Sequence, residues 1–193
     1  NAPVLSSEGR AFPVETIYAD RPAPDQPSPR AISDQVRPAI REALAAQQGS
    51  VLVFLPGQAE IRRLMEQLQD ALPADVELTP LFGDLDARAQ DAAVAAAAPG
   101  RRKVVLATAL AESSLTIDGI EVVIDAGWSR VSRFDPSTGL ARLLTEKAAV
   151  AQADQRRGRA GRLGPGVCWR LWTAVDQQRR PLQPQPEILS SDP

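Results

Sequence analysis

Histidine is absent from this chain of 193 residues, and cysteine occurs once, as Cys168. Without an imidazole the chain cannot supply a Ser-His-Asp triad, a Cys-His pair or a histidine zinc site. One thiol cannot form an internal disulfide or a cysteine metal site, so we predict no metal site and a reducing, cytoplasmic location. No apolar run approaches the length of about 18 residues that indicates a membrane-spanning helix, and no secretory signal is evident.

An excess of one charge is lacking as well, because 22 basic and 24 acidic side chains leave a net charge of −2. A protein that coats nucleic acid carries a strong basic excess, so any nucleic-acid site here must be a local stripe. The apolar fraction of 44% is sufficient for a sizeable core in one domain of ordinary size.

The basic side chains concentrate in QRRGRAGR (155–162), which has four arginines and two glycines. On a helix, Gln155, Arg159 and Arg162 would share one face within roughly 60°. Their two guanidinium groups and one amide suit an anionic ligand with several oxygens, because arginine matches phosphate bidentately. Each glycine costs about 1 kcal/mol of helix stability, so we expect the glycines to admit another backbone or a ligand. A solvated basic face is the alternative interpretation.

Apolar runs alternate with amphipathic segments along most of the chain, which predicts an α/β fold with a mainly parallel sheet. The predicted strands are 12–18, 51–55, 76–81, 103–107, 122–125 and 167–172. The predicted helices are 32–44, 61–72, 86–97 and the arginine-rich segment 155–162. Pro38 inside the first helix indicates either a kink or the true helix start.

The segment 130–146 differs from this alternation, because its centre, DPSTG (135–139), has strong turn chemistry and predicts a β-hairpin. We predict three parts of the chain. Residues 1–30 form an extended strand and a proline-rich connector, 31–178 form the α/β domain, and 179–193 form a tail.

The loop TALAESSLTIDG (108–119) follows a predicted strand and carries several hydroxyl groups and two carboxylates. Hydroxyl and free backbone N–H groups after a strand suit the oxygens of phosphate or sugar. A serine- and threonine-rich turn that caps the next element is the alternative.

Together these segments resemble the second RecA-like domain of superfamily 2 DEAH-box ATP-dependent RNA helicases. LVFLPGQAEI (52–61) resembles motif IV, ATALAESSLTIDG (107–119) motif V, and QRRGRAGR (155–162) motif VI. The flanks PLFGDLDARAQ, DAGWSRVSRFDPSTGLARL and LGPGVCWRLW are similar to the bacterial HrpB-type branch. The resemblance covers residues 12–190. It implies a RecA-like three-layer sandwich with a mainly parallel sheet and a protruding β-hairpin between motifs V and VI.

The resemblance also implies roles for single residues. Arg159 and Arg162 match arginine fingers that approach the ATP phosphates together with Gln155. The other residues fall into two sets, one expected to lie near the nucleotide and one expected to face RNA. The motif V residues near the nucleotide and the catalytic site are Ser114, Thr116 and Asp118. The residues toward RNA are Thr108, Gly57, Gln58, Arg130 and Arg133, with Arg142 as a further hairpin candidate. Ordinary solvated charge is an equally good interpretation of each hairpin arginine taken singly.

The chain contains neither a GxxxxGK[ST] phosphate loop nor a DEAH sequence that would hold Mg²⁺. The resemblance therefore implies that ATP with Mg²⁺ is held by a preceding RecA-like domain of the same polypeptide, and that this chain is inactive alone. The other implied partner is single-stranded or partly duplex RNA, with DNA as an alternative, and no membrane. The tail is expected to lead into a following domain.

Three positions depart from the family pattern. Ala109 stands where asparagine is usual, Ser113 where threonine is common, and Val94 where eukaryotic relatives have an adenine-stacking phenylalanine. We therefore expect one fewer side-chain contact to RNA and weaker base stacking. Two other functions stay open from the sequence: a non-catalytic nucleic-acid-binding α/β module and an interaction domain without chemistry.

Overall fold

The strands of this protein follow the predicted alternation closely. A computed structural model describes residues 11–113 and 115–186. Its strands are β1 (Val14–Tyr18), β2 (Ser50–Phe54), β3 (Val76–Leu81), β4 (Arg102–Ala107), β5 (Ile120–Asp125), β6 (Trp128–Asp135), β7 (Leu140–Lys147) and β8 (Gly166–Arg170). Six of them form a parallel sheet in the order β1-β8-β5-β2-β4-β3. The prediction of a mainly parallel sheet is confirmed.

Helices cover both faces of this sheet. They are α1 (Pro29–Ala46), α2 (Gln58–Leu68), α3 (Ala87–Val94), α4 (Leu110–Ser113), α5 (Val150–Gly158) and α6 (Ala174–Arg179). Alternate residues of the central strands point to opposite faces, so Val51 and Val53 pack with α1 and α2, whereas Leu52 and Phe54 pack toward α3 and α4. Every residue of β2 is buried, as expected for a central parallel strand. The predicted three-layer sandwich is confirmed.

The first helix shows why Pro38 does not mark a helix start. Helix α1 begins at Pro29, where a missing N–H group costs nothing. Ser28 caps it by accepting a hydrogen bond from the Ala31 N–H at 3.1 Å. Pro38 lies within the helix on an exposed face. The interpretation of Pro38 as the helix start is therefore wrong.

The predicted β-hairpin is confirmed as the antiparallel pair β6 and β7. Asp135 organises its turn by accepting hydrogen bonds from the Ser137 N–H at 3.0 Å and the Ser137 hydroxyl at 2.6 Å. These bonds lower the pKa of Asp135. Gly139 completes the turn with φ of 66°, a conformation that suits glycine.

Within the described ranges no helix combines the length and apolarity needed to cross a bilayer. Helices α1, α2 and α3 instead bury apolar residues against the strands on one side only. The helix predicted at 86–97 ends earlier, at Val94. Asp86 caps its start through a 2.7 Å bond from the Ala89 N–H.

Cys168 offers a test of how tightly this core is closed. It lies in β8, is fully buried, and has its pKa raised to about 12 by burial and then by Asp125. The thiolate is the reactive form, so we expect no reaction with an aromatic disulfide reagent at about pH 8 until the protein unfolds. Absorbance after reagent addition in buffer and in urea measures this. Modification in buffer at the rate of a free thiol would contradict the closed core.

Candidate functional site

The arginine-rich segment is not one helix. Helix α5 ends at Gly158, and Arg159–Gly161 form a 3₁₀ turn that leads toward β8. The prediction of a shared α-helical face for Gln155, Arg159 and Arg162 is therefore wrong in its geometry. The three side chains nevertheless line one cleft of about 340 Å³. The other residues that line it are Glu112, Asp154 and Gly158.

Arg159 fastens the arginine segment to the motif V loop. Its Nε donates to the Glu112 carbonyl at 3.0 Å and its Nη1 to the Leu115 carbonyl at 2.5 Å, while Nη2 also bonds to Glu112. The residue is 5% exposed. Burial and then the nearby charge of Arg162 lower the pKa of Arg159. In this structure most of its guanidinium group is thus engaged by backbone carbonyls.

Arg162 lies at the open side of the same cleft. It is exposed, and its Nη1 donates to the Thr116 hydroxyl at 3.1 Å. Asp118 is also exposed, and its N–H donates to the Val94 carbonyl at 3.1 Å, just before β5 begins. Ser114 lies outside the described residues. The structure therefore brings Arg162 and Thr116 together and leaves their outer surfaces open to a ligand.

Arg156, which the sequence analysis did not single out, is the most deeply buried arginine of the segment, at 1% exposure. It forms ion pairs with Asp125 at 2.9 Å and Glu112 at 2.7 Å. It also donates to the Trp128 carbonyl at 3.2 Å and the Ser129 hydroxyl at 3.0 Å. Burial alone would lower the pKa of Arg156. The charges of Asp125 and Glu112 outweigh this effect, so the pKa of Arg156 is raised overall.

The position of Asp125 was the available sequence signal for this network. A carboxylate that ends a buried apolar strand needs a cation or several donors, because an unpaired buried charge is costly. Asp125 Oδ1 also accepts the Gly127 N–H at 2.8 Å. Arg156 therefore connects the end of β5, the motif V helix α4 and the start of β6. It is structural rather than ligand-facing.

The two glycines of the segment serve different purposes. A Cβ at Gly161 would lie 2.6 Å from the Phe12 carbonyl oxygen and 2.7 Å from Val14 Cγ2, so this glycine admits the chain that enters β1. At Gly158 no heavy atom lies within 4 Å of a Cβ, and the residue lines the cleft. The expectation that a glycine admits another backbone is thus confirmed for Gly161. That Gly158 admits a ligand stays a prediction.

Alanine at these two positions should therefore have opposite effects on stability. We expect Gly161→Ala to lower the free energy of unfolding by about 1–3 kcal/mol, because it overpacks the contact with Phe12. Gly158→Ala should leave stability unchanged or raise it by up to about 1 kcal/mol, because its backbone is helical. Urea unfolding curves compare the two. Equal destabilisation would contradict this assignment.

The residues expected to face RNA divide between two places. Gly57 and Gln58 follow β2, and Thr108 follows β4, so all three lie at the carboxyl edge of the sheet. Gln58 Nε2 donates to Asp84 Oδ2 at 2.7 Å, and the Thr108 N–H donates to the Leu81 carbonyl at 3.2 Å. Backbone and amide groups of neighbouring strands thus gather at one edge, as the parallel fold requires.

The hairpin arginines all have partners within the protein. Arg130 contacts Glu60 at 3.3 Å near Gly57. Arg133 makes a two-pronged ion pair with Glu146 at 2.9 and 3.0 Å, and also donates to the Pro186 carbonyl at 3.2 Å. Arg142 is 63% exposed and 3.8 Å from Asp135. Arg130 therefore joins the carboxyl edge, whereas Arg133 is turned toward the tail.

Residues 11–113 and 115–186 contain no cluster of three or more carboxylate or thiol groups that could hold a metal ion. The cleft instead offers a cationic rim suited to anionic oxygens. Its two carboxylates are already compensated, since Glu112 pairs with Arg156 at 2.7 Å and Asp154 pairs with Arg170 at 2.8 Å. A phosphate group approaching Arg162 would therefore meet little uncompensated negative charge.

Comparison with known proteins agrees with this geometry. Residues 35–164 match the family described as helicase conserved C-terminal domain. The chain is 48% identical to the ATP-dependent RNA helicase HrpB of Escherichia coli over 99% of its length and 23% of that protein. It is 39% identical to the pre-mRNA-splicing factor ATP-dependent RNA helicase prp22 of Schizosaccharomyces pombe, over 96% of the chain and 16% of that protein.

Solved structures give the same result. A crystal structure of the E. coli DExH-box NTPase HrpB superposes with a TM-score of 0.84 at 47% identity, covering 95% of this chain and 22% of that one. The chain thus spans less than a quarter of the length of these relatives. Its fold is RecA-like, and the predicted resemblance to HrpB-type DEAH-box helicases is confirmed. The chain belongs to the helicase conserved C-terminal domain family.

Proposed function

We propose that this chain is the second core domain of an ATP-dependent DEAH-box RNA helicase. In this proposal Arg159 and Arg162, with Gln155, act on ATP held by a preceding RecA-like domain. The observation that carries it is the cleft itself. In this cleft the exposed Arg162 side chain donates a hydrogen bond to the Thr116 hydroxyl, and the space beside Gly158 is open.

The chemistry of the cleft suits phosphoryl transfer. Charge spreads over the γ-phosphate oxygens in the transition state, and a positioned guanidinium stabilises that charge. Arg162 is free to present its outer N–H groups, whereas Arg159 is held by the Glu112 and Leu115 carbonyls. Arg162 is therefore the principal finger, and Arg159 sets the distance between the motif V loop and the arginine segment.

The side chains of this cleft suit the phosphate oxygens of ATP but do not suit Mg²⁺. The side chains present here are donors and a compensated pair of carboxylates, which suit phosphate oxygens but not a metal ion. When bound, Mg²⁺ would be held by the preceding domain and would neutralise phosphate charge. Thr116 and Asp118, both exposed, are proposed to face the ribose, and Ser114 keeps its expected link to the partner domain.

The RNA track is proposed at the carboxyl edge of the sheet. Gly57, Gln58 and Thr108 lie at this edge, and backbone, amide and hydroxyl groups of this kind bind phosphate without reading sequence. Arg130 adds positive charge where the hairpin meets that edge. Opening and closing of the cleft between the two domains would then move this edge along one strand of RNA.

ATPase assays with and without single-stranded RNA test the split site. This chain alone, the preceding domain alone and the two covalently joined are compared at equal concentration. We expect RNA-stimulated hydrolysis only in the joined form. A joined protein that binds RNA but never hydrolyses ATP would contradict the proposal and support a non-catalytic nucleic-acid-binding module.

A further inference from the structure

Glu60 is a buried carboxylate that the proposed function leaves without a role. Its side chain is 0% exposed, and it lies in the first turn of α2, directly below the motif IV loop. One oxygen, Oε1, contacts Arg130 Nη2 at 3.3 Å. The other, Oε2, has no hydrogen-bond partner in the described part of the chain. A buried carboxylate with so few partners is costly, because little in the protein replaces the hydrogen bonds it would make to water.

Gly57 makes room for this contact. A Cβ at Gly57 would lie 2.9 Å from Arg130 Nη2 and 3.3 Å from Glu60 Oε2. The backbone of Gly57 is extended, with φ of −165°, so the glycine is not required by backbone strain. The absence of a side chain instead lets the guanidinium group pass across the motif IV loop and reach the carboxylate.

Arg130 keeps an open side. Its side chain is 34% exposed, although Nη2 is directed to a fully buried carboxylate. The planar guanidinium group has further N–H donors in fixed directions. Holding one nitrogen against Glu60 therefore fixes the directions of the remaining donors on a side chain that is partly exposed beside Gly57 at the carboxyl edge.

We infer that Glu60 is a positioning residue for RNA binding: by holding Arg130 across Gly57, it presents the outer donors of the guanidinium group to an RNA phosphate. The inference rests on the proposed RNA track. In this inference Glu60 strengthens RNA binding, although its negative charge by itself would weaken it. A carboxylate near a phosphate track otherwise repels RNA, so its removal would tighten binding.

The test uses full-length protein and a fluorescent single-stranded RNA, titrated at several salt concentrations. Arg130→Gln should weaken binding about tenfold, because it removes a charge-assisted bond. The slope of log affinity against log salt should become shallower by roughly 0.7, the value for one phosphate contact on a single strand. Glu60→Gln should also weaken binding, by roughly threefold to tenfold, although it removes a negative charge.

A double variant separates positioning from general effects on the fold. Glu60→Gln in the Arg130→Gln background should not weaken RNA binding further, because the group it positions is gone and only the repulsion by its charge is removed. Gly57→Ala, which displaces the guanidinium, should behave like Glu60→Gln in both backgrounds. Arg41→Gln is the charge-matched control, since Arg41 is exposed on α1, near the helix end that leads into the opposite, amino end of β2.

The RNA concentration for half-maximal ATPase stimulation should rise in Glu60→Gln, while the maximal rate at saturating RNA stays near that of the parent. Tighter RNA binding by Glu60→Gln, or additive losses in the double variant, would overturn the inference. Parent protein that binds RNA with no salt dependence would overturn the RNA track itself. These two failures are distinguishable, because only the second affects the unmodified protein.

Discussion

Arg162→Ala in the full-length protein is expected to reduce RNA-stimulated ATP hydrolysis by roughly 10³-fold, the lower end of the effect of an arginine finger. The free energy of unfolding should change by less than about 0.5 kcal/mol, because exposed side chains contribute little to stability. Arg162 is exposed, and its described bond is the 3.1 Å contact with the Thr116 hydroxyl. Steady-state ATPase kinetics and thermal unfolding of the same sample measure both quantities.

Arg159→Ala provides the contrast. Its guanidinium group bonds to the Glu112 and Leu115 carbonyls and is largely buried. Removing it should lower both ATPase activity and stability, the latter by about 1–3 kcal/mol, since buried acceptors lose their donors. An Arg162→Ala protein with undiminished hydrolysis would remove the finger assignment, whatever the behaviour of Arg159→Ala.

Arg156→Ala is expected to cause the largest loss of stability. It leaves Asp125 fully buried beside an empty space, and Glu112 loses its partner at 2.7 Å. Breaking a buried pair from one side costs about 3–5 kcal/mol. For a domain of this size that corresponds to a fall in Tm of roughly 6–20 °C. Thermal unfolding followed by circular dichroism measures it.

Arg156→Lys refines this prediction. A single ammonium group keeps the charge but cannot reach Asp125, Glu112 and the Trp128 carbonyl together, as the guanidinium fork does. It should therefore lose an intermediate amount of stability. Arg88→Ala, an exposed arginine on α3, should leave Tm unchanged. If Arg156→Ala unfolds at the same temperature as Arg88→Ala, the buried network does not stabilise the domain.

The sequence was sufficient to predict the layers of this fold. Buried strands such as β2 are continuous apolar runs, and such runs separated by amphipathic segments lead to a parallel sheet. The hairpin followed from the turn chemistry around Asp135 and Gly139. These features depend on residues close in sequence, where local preference and tertiary packing agree.

The arginine segment shows what local sequence could not give. Periodicity predicted one helix through 162, but α5 ends at Gly158 because the chain turns to meet β1, where the Phe12 N–H bonds to the Gly161 carbonyl at 2.8 Å. Likewise Arg156 and Arg162 are indistinguishable by residue type. Their different roles depend on Asp125 and Thr116, which lie 31 and 46 residues away in the chain.

Arg162 is proposed to act on the transferring phosphoryl group rather than on nucleotide in general. The most direct measurement of this role is the affinity of the full-length protein for Mg-ADP with and without aluminium fluoride, which imitates that group in the transition state. We expect the parent to bind the aluminium fluoride complex far more tightly than ADP, and Arg162→Ala to lose this preference while it retains its ADP affinity. An Arg162→Ala protein that still prefers the aluminium fluoride complex to ADP as strongly as the parent would contradict this role of Arg162.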